Sequence, residues 1–119
     1  MLWIDAYNAN PISMKAAIES FAALNNTNKI AILGDMFELG AYAFDEHNAI
    51  IKLAATLKLD KIYFVGANFI QHKLNYPEFN FIISTNEMLE LLKVNPINNS
   101  VILLKGSRGM ALEKLIPEL

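Results

Sequence analysis

The sequence predicts a doubly wound α/β sandwich built on a parallel sheet of five strands. Five short apolar runs are each followed by polar turn residues and then by a segment in which apolar residues recur at helical spacing. The runs are nearly continuous rather than alternating, as expected of strands covered by helices on both faces. A repeated order of strand and helix therefore favours a parallel sheet between two helical layers.

The five predicted strands are apolar stretches bounded by turn residues. The first covers residues 2–6, and the others are "KIAILG", "KIYFVG", "FNFIIS" and "SVILLKG". No Gly/Ser linker, charge block or repeat of fixed period interrupts them. Residues 1–119 are therefore expected to form one domain.

The helices are predicted from apolar spacing and from residues that start or stop a helix. Asn10 followed by Pro11 predicts an N-cap and a first helical residue, and Met14, Ile18 and Phe21 follow at helical spacing. The other predicted helices are residues 45–59, a short one at 67–74, residues 85–93 with Thr85 or Asn86 as the cap, and residues 109–119.

Composition excludes several functional classes. Apolar residues make up 54% of the chain and charged residues 18%, which is typical of a folded domain. The formal net charge is −2 and there is no dense Lys/Arg run, so neither nucleic acid nor a membrane is expected as a partner. There is no cysteine and there are only two histidines, so no metal site is expected. Without a leader segment or a long apolar span, a soluble cytoplasmic domain is expected.

Ligands of an open parallel sheet bind where the strands end, at their carboxyl ends. In the first such loop, Asp5 can accept hydrogen bonds from the two hydroxyls of a ribose, while Asn8 and Asn10 can both donate and accept. The alternative is that Asn10 is only a helix cap and Asp5 only a turn residue. Residue types alone leave both interpretations open.

The second loop, "LGDMFELG", carries two carboxylates between two glycines. Asp35 and Glu38 could face a cationic group or take part in acid/base chemistry, or they could belong to a solvated loop. His47 follows near the start of the next helix. It is a candidate for contact with a phosphate or substrate, with a hydrogen bond to local backbone as the alternative.

The fifth strand leads into "LLKGSRGMALE", which places Lys105, Ser107 and Arg108 at a glycine-flanked strand exit. A guanidinium beside the N–H groups of a helix start suits an anion such as a carboxylate or phosphate. A solvated basic turn is the alternative. The spacing GxxxxGK[ST] is absent, so this loop is not a Walker A motif.

Three segments in this order resemble the C-terminal domain of Mur ligases: "DAYNANPISM", "LGDMFELG" followed by "EHNAI", and "ILLKGSRGMALE". They are most similar to the ligases that join D-Ala-D-Ala to UDP-MurNAc-tripeptide with ATP in peptidoglycan synthesis. The resemblance covers nearly the whole chain. It implies a Rossmann-like three-layer sandwich with a mostly parallel sheet of five or six strands. It also implies that the N-terminal and central ATPase domains lie outside this chain, which alone is expected to be inactive as a ligase.

The resemblance also implies roles for individual residues. Asp5 would hold the ATP ribose, and the other residues implied on the nucleotide side are Tyr7, Asn8 and Asn10. The implied substrate-binding residues are Asp35, Met36, Glu38, Lys105, Ser107 and Arg108, with His47 as a further candidate. ATP and Mg would be held mainly by the missing central domain, and D-Ala-D-Ala would lie near Arg108.

Two other functions fit the residues less well. A free-standing nucleotide- or phosphate-binding α/β regulatory module would show the same strand-end loops, and an upstream reading frame with a GKT/S loop would favour the ligase over it. A small hydrolase ranks last because the chain has no GxSxG elbow and no cysteine.

Overall fold

The computed structural model describes residues 9–119 and the backbone of Leu2–Ile4, and it shows one five-stranded sheet. All neighbouring strands pair in parallel. The strands are β1 (Leu2–Ile4), β2 (Lys29–Gly34), β3 (Lys61–Val65), β4 (Asn80–Ile82) and β5 (Val101–Lys105), arranged in the order β1-β5-β2-β3-β4. The predicted parallel α/β sheet is confirmed. Within the described residues the count is five, so six overstates it.

Within the described residues, three α-helices and four 3₁₀ segments accompany the strands, and the last two 3₁₀ segments follow β5. The α-helices are α1 (Pro11–Ala22), α2 (Ala43–Thr56) and α3 (Thr85–Val94). The 3₁₀ segments are Gly40–Tyr42, Phe69–Asn75, Arg108–Met110 and Leu112–Glu118.

Helix α1 begins as its sequence predicts. The Asn10 side chain accepts a hydrogen bond from the Ser13 N–H at 2.9 Å, and the Ser13 hydroxyl accepts one from the Asn10 N–H at 3.1 Å. This reciprocal capping box satisfies two of the N–H groups that a helix start leaves without partners. The helix ends against Lys29, whose buried ammonium donates to the carbonyls of Ala22 and Leu24.

The predicted bounds of the second helix were wrong by two residues at its start and by three at its end, and the predicted cap of the helix after β4 was also wrong. Helix α2 starts at Ala43 rather than at residue 45, and it ends at Thr56 rather than at residue 59. The cap of α3 is Ser84, whose hydroxyl accepts from the Glu87 N–H at 3.2 Å. Thr85 was a predicted cap, but its hydroxyl instead donates to the Met110 carbonyl at 2.6 Å.

The C-terminal segment is not the single helix that the sequence predicts. It forms two 3₁₀ segments separated by Ala111, which has a left-handed backbone with φ of 53°. A left-handed residue cannot continue a right-handed helix, and Pro117 removes one further donor.

The core is divided between the two faces of the sheet. Helices α1 and α2 cover one face, where Phe21, Phe64 and Phe69 are fully buried. Helix α3 and the last 3₁₀ segment cover the other face, where Met88 and Leu115 are fully buried. This arrangement is the predicted three-layer sandwich.

The strand order determines which loops meet. Strand β5 lies between β1 and β2, although it is the last strand in sequence. The chain therefore reverses direction across the sheet at this point, and such a reversal is where open α/β sheets bind ligands. The three segments that carry the family resemblance include the chain that follows β1, β5 and β2, which are three adjacent strands at this reversal.

Candidate functional site

The loops after β2 and β5 are in direct backbone contact at the carboxyl edge of the sheet. The Ser107 N–H donates to the Asp35 carbonyl at 2.9 Å. A Cβ added to Gly106 would lie 2.9 Å from the Gly34 Cα, a distance that real Cβ atoms essentially never show. Glycine at position 106 therefore lets the two loops approach closely enough to act as one surface.

The Asp35 carboxylate is buried and holds the loop that follows β3. Its side chain accepts hydrogen bonds from the backbone N–H of Asn68 at 2.8 Å and of Phe69 at 3.1 Å. The Asn68 side-chain amide adds a third at 3.1 Å. Only 2% of Asp35 is exposed. Asp35 is therefore not part of a solvated loop, which was one alternative for this segment. Its carboxylate lies in the protein interior and accepts hydrogen bonds from the start of a helical segment.

The Asp35 carboxylate also explains why residue 66 is a glycine. Gly66 has φ of +134°, which L residues rarely adopt, and a Cβ there would lie 2.2 Å from the Asp35 Cγ. Both the backbone conformation and the carboxylate exclude any side chain at this position.

His47 is fully buried, and both of its ring nitrogens have backbone partners. The Met36 N–H lies 3.0 Å from Nε2, so Nε2 accepts. Nδ1 lies 2.6 Å from the Ala43 carbonyl and therefore donates. The Asp35 Oδ1 is 3.8 Å from Nε2, but a nitrogen that accepts from Met36 does not form an ion pair with it. Of the two interpretations of His47, the structure shows the hydrogen bonds to backbone.

The three residues of the loop after β5 have different surroundings. Lys105 is 1% exposed and Ser107 is 6% exposed, whereas Arg108 is exposed. The Ser107 hydroxyl accepts from the Phe37 N–H at 2.8 Å and lies 3.4 Å from the Ala9 carbonyl. The alternative of a solvated basic turn can therefore apply only to Arg108.

A cleft of about 730 Å³, here called the first cleft, lies between the start of α1 and the loop after β2. Its lining includes Asn10, Ser13, Glu38, Tyr42 and Glu46. Glu38 is exposed and has a left-handed backbone with φ of 64°. Non-glycine residues adopt this conformation uncommonly, and they do so mainly where the surrounding structure imposes it.

A second cleft of about 410 Å³ lies on the other side of the Asp35 loop. Its polar lining residues include Asn68, Ser84, Asn86 and Lys114, and Asp35 also lines it. Residues 66–68 and 84–86 follow β3 and β4, so the strand-end rule already selects the loops that carry Asn68, Ser84 and Asn86. Nothing in the sequence pattern distinguishes Lys114.

The predicted nucleotide-side residues are only partly described. Asp5, Tyr7 and Asn8 lie outside the residues that the structure describes. Asn10 lies at the first cleft, but its Oδ1 is already used by the helix cap. The cap uses one of the two lone pairs of Oδ1, so the Asn10 amide can keep the cap and still contact a ligand through Oδ1 or Nδ2.

His72 lies outside the candidate site, buried against the ring of Phe44 at 4.3 Å between centroids. Burial lowers the pKa of His72 below its usual range, because the charged imidazolium loses solvation there. The hydrogen bond to the Phe44 backbone opposes this shift and raises the pKa in part.

Two features are absent from the described part of the chain. Residues 9–119 hold no group of three His, Asp or Glu side chains placed to bind a metal ion. In the same residues no helix is long and apolar enough to cross a membrane.

Comparison with known proteins gives consistent matches. The chain is 35% identical over 96% of its length to the UDP-N-acetylmuramoyl-tripeptide--D-alanyl-D-alanine ligase of Treponema pallidum, and 32% identical over 97% to that of Bacillus subtilis. It covers only 26% and 27% of those two proteins, so the chain spans about a quarter of the length of these relatives.

Solved structures share the fold. A crystal structure of MurF from Acinetobacter baumannii superposes with a TM-score of 0.82 at 30% identity, covering 99% of this chain and 28% of that one. The MurF ligase of Thermotoga maritima, solved in complex with ADP, gives a TM-score of 0.69 over 98% of this chain and 27% of that one. At 23% identity, this second likeness shows the fold alone.

The family model described as "Mur ligase, glutamate ligase domain" matches residues 1–108, which is most of the chain. This match agrees with the adjacency of the three resembling segments at the carboxyl edge of the sheet. The chain therefore belongs to the Mur ligase family and corresponds to its C-terminal domain.

Proposed function

We propose that this chain is the substrate- and nucleotide-facing C-terminal domain of an ATP-dependent ligase that adds D-Ala-D-Ala to UDP-MurNAc-tripeptide. The observation that carries the proposal is the 35% identity, over 96% of the chain, to a ligase named for that reaction. The adjacency of the β1, β5 and β2 exits supports it, because all three resembling segments then face one ligand region.

The proposed reaction forms an amide in two steps. ATP first phosphorylates the terminal carboxylate of the tripeptide, and the amine of D-Ala-D-Ala then attacks the acyl phosphate, releasing phosphate and forming the peptide bond. This chain would contribute binding and orientation when it closes onto the other domains. Because such a reaction consumes ATP and a UDP-linked precursor, we place the ligase in the cytoplasm.

The metal and the phosphate-binding loop are assigned to another domain. The described residues hold no group of three His, Asp or Glu side chains placed to bind a metal ion, and the sequence has no GxxxxGK[ST] loop. Mg²⁺ bound elsewhere would neutralise phosphate charge. The residues of this chain would hold the ribose and position the incoming amine.

Burial divides the proposed substrate residues into two groups. Glu38 and Arg108 are exposed, so they are proposed to contact substrate directly. The free carboxylate of the dipeptide is a suitable partner for the Arg108 guanidinium, which can donate two parallel hydrogen bonds. The remaining proposed residues are buried and are assigned to holding these loops in place: Asp35, Met36, Lys105 and Ser107.

On the nucleotide side, Asp5 is proposed to accept hydrogen bonds from the ribose hydroxyls. Tyr7, Asn8 and Asn10 would line the same side. The first cleft supports this assignment, because it opens directly beside Asn10 and Ser13 at the start of α1.

The test is ligase activity of the whole protein that contains this chain, measured as phosphate release that requires ATP, UDP-MurNAc-tripeptide and D-Ala-D-Ala. Asp5→Ala should raise the KM for ATP, and Arg108→Ala should raise the KM for D-Ala-D-Ala. Glu78→Ala, at an exposed turn position, serves as the control. Unchanged kinetics in both variants would remove the residue assignments, and turnover by the 119-residue chain alone would contradict its proposed role as one domain.

A further inference from the structure

We infer that His47 and Ser107 are positioning residues, which fix the backbone of the loop after β2 so that Glu38 faces the first cleft. The inference deepens the proposed function and rests on it, because it assigns to these two side chains a role in presenting a substrate contact. Neither side chain is assigned contact with the substrate itself.

Two consecutive backbone N–H groups of this loop donate to side chains from other parts of the fold. Met36 donates to His47 Nε2 on α2 at 3.0 Å, and Phe37 donates to Ser107 Oγ after β5 at 2.8 Å. His47 is fully buried and Ser107 is 6% exposed. These two bonds come from side chains on α2 and on the loop after β5. They therefore fix the backbone of the loop after β2 separately from the backbone hydrogen bonds between the strands.

Neither positioning residue has the surroundings of a ligand-binding group. The second nitrogen of His47 is held by the Ala43 carbonyl at 2.6 Å, and its ring packs edge-on against Phe69 at 4.6 Å between centroids. Ser107 is tied at both its N–H and its hydroxyl. A phosphate or carboxylate could reach His47 only by displacing its backbone partners.

The loop held in this way ends in a strained residue. Glu38 comes directly after the two anchored N–H groups, and its backbone is left-handed. Such a conformation persists when neighbouring contacts over-determine it. Without the two anchors the chain at residues 36–38 would relax toward ordinary backbone angles, and the Glu38 carboxylate would no longer be held at the first cleft.

The experiment compares two variants of His47. His47→Phe keeps a ring in the core but removes the acceptor for the Met36 N–H, whereas His47→Gln can place an amide oxygen near the former Nε2. In the 119-residue chain, hydrogen exchange of the Met36 amide should become roughly tenfold faster in His47→Phe and should be largely restored in His47→Gln. Ser107→Ala should have the same effect on the Phe37 amide, which keeps the test available if His47→Phe does not fold.

A second measurement uses the whole ligase and asks whether His47 acts through Glu38. His47→Phe and Glu38→Gln should each lower kcat with a smaller effect on the KM for ATP. The kcat of the double variant should be no lower than that of Glu38→Gln alone. If His47 acts only by positioning the Glu38 carboxylate, losing His47 has no further effect once that carboxylate has been removed. A general loss of stability would not produce this lack of additivity.

The outcomes separate the two proposals. Unchanged exchange at Met36 in His47→Phe, or fully additive effects on kcat in the double variant, would overturn the positioning role. If the unmodified whole protein forms no amide from D-Ala-D-Ala, the proposed function fails instead. The exchange measurement on the chain would then still decide whether His47 and Ser107 fix the loop.

Discussion

Replacing Asp35 by alanine should destabilise the chain by about 2–4 kcal/mol, because it removes the acceptor of three hydrogen bonds. The Phe69 N–H is buried and would lose its partner, which costs roughly 1–3 kcal/mol. The Asn68 N–H is only half-buried, so water can replace part of its bond, and about 1 kcal/mol is expected there. Against a total stability of roughly 5–15 kcal/mol, this loss is large.

The measurement is urea unfolding of the 119-residue chain, followed by the loss of helical circular dichroism. The midpoint should fall while the slope stays unchanged, and the melting temperature should drop by roughly 10 °C. In Asp35→Asn, the remaining side-chain oxygen can still accept hydrogen bonds, but the new amide N–H₂ faces an N–H donor and cannot accept from it. The loss of stability should therefore be about half that of Asp35→Ala.

The control is Glu78→Ala, which removes an exposed carboxylate from a turn and should change stability by less than about 0.5 kcal/mol. If Asp35→Ala were no more destabilising than Glu78→Ala, the carboxylate would not be holding the loop after β3. The structural interpretation of Asp35 would then be refuted, and direct contact with substrate would become the better assignment.

Four other substitutions test separate features of the fold in the same unfolding assay. Gly66→Ala should cost at least about 2 kcal/mol, because its φ and the nearby Asp35 carboxylate both exclude a Cβ; a neutral effect would contradict that packing. Lys29→Met should cost about 1–2 kcal/mol, since the ammonium binds the Ala22 carbonyl at the end of α1 and the Leu24 carbonyl just beyond it, and equal stability would show that water replaces the ammonium. Ala111→Gly should stabilise by up to about 1 kcal/mol by relieving a left-handed backbone, so destabilisation would argue against that conformation. Because burial lowers the pKa of His72, the unfolded chain binds more protons, and stability should fall as the pH drops through the ordinary value of 6.5. His72→Phe should flatten that dependence between about pH 7.5 and about pH 5.5, and an unchanged profile would assign it to other groups.

The sequence predicts those features whose causes are local. The cap and first residue of α1 follow from Asn10 and Pro11, because a capping box is completed within four residues. The parallel sheet follows from five apolar runs that alternate with helical segments, because that order leaves few other arrangements. Even the grouping of the three resembling segments could be inferred, since parallel strands present their carboxyl ends on one edge.

Local reasoning fails where residues distant in sequence decide the outcome. Ser84 rather than Thr85 caps α3, because the Thr85 hydroxyl finds the Met110 carbonyl, 25 residues away. The last segment breaks at Ala111 although its residues favour a helix. Tertiary packing outweighs the small differences in intrinsic preference at these positions.

The candidate site shows the same division between sequence and structure. The sequence by itself determined which loops carry polar residues at the sheet edge, and their order gave the resemblance to the Mur ligase family. It could not separate residues that hold the site from residues that face a ligand. Asp35 and Glu38 are both carboxylates of one short loop, yet Asp35 is 2% exposed and Glu38 is exposed. Partners 33 residues from Asp35 and 70 residues from Phe37 decide this difference, because burial and hydrogen bonding depend on contacts that exist only once the chain has folded.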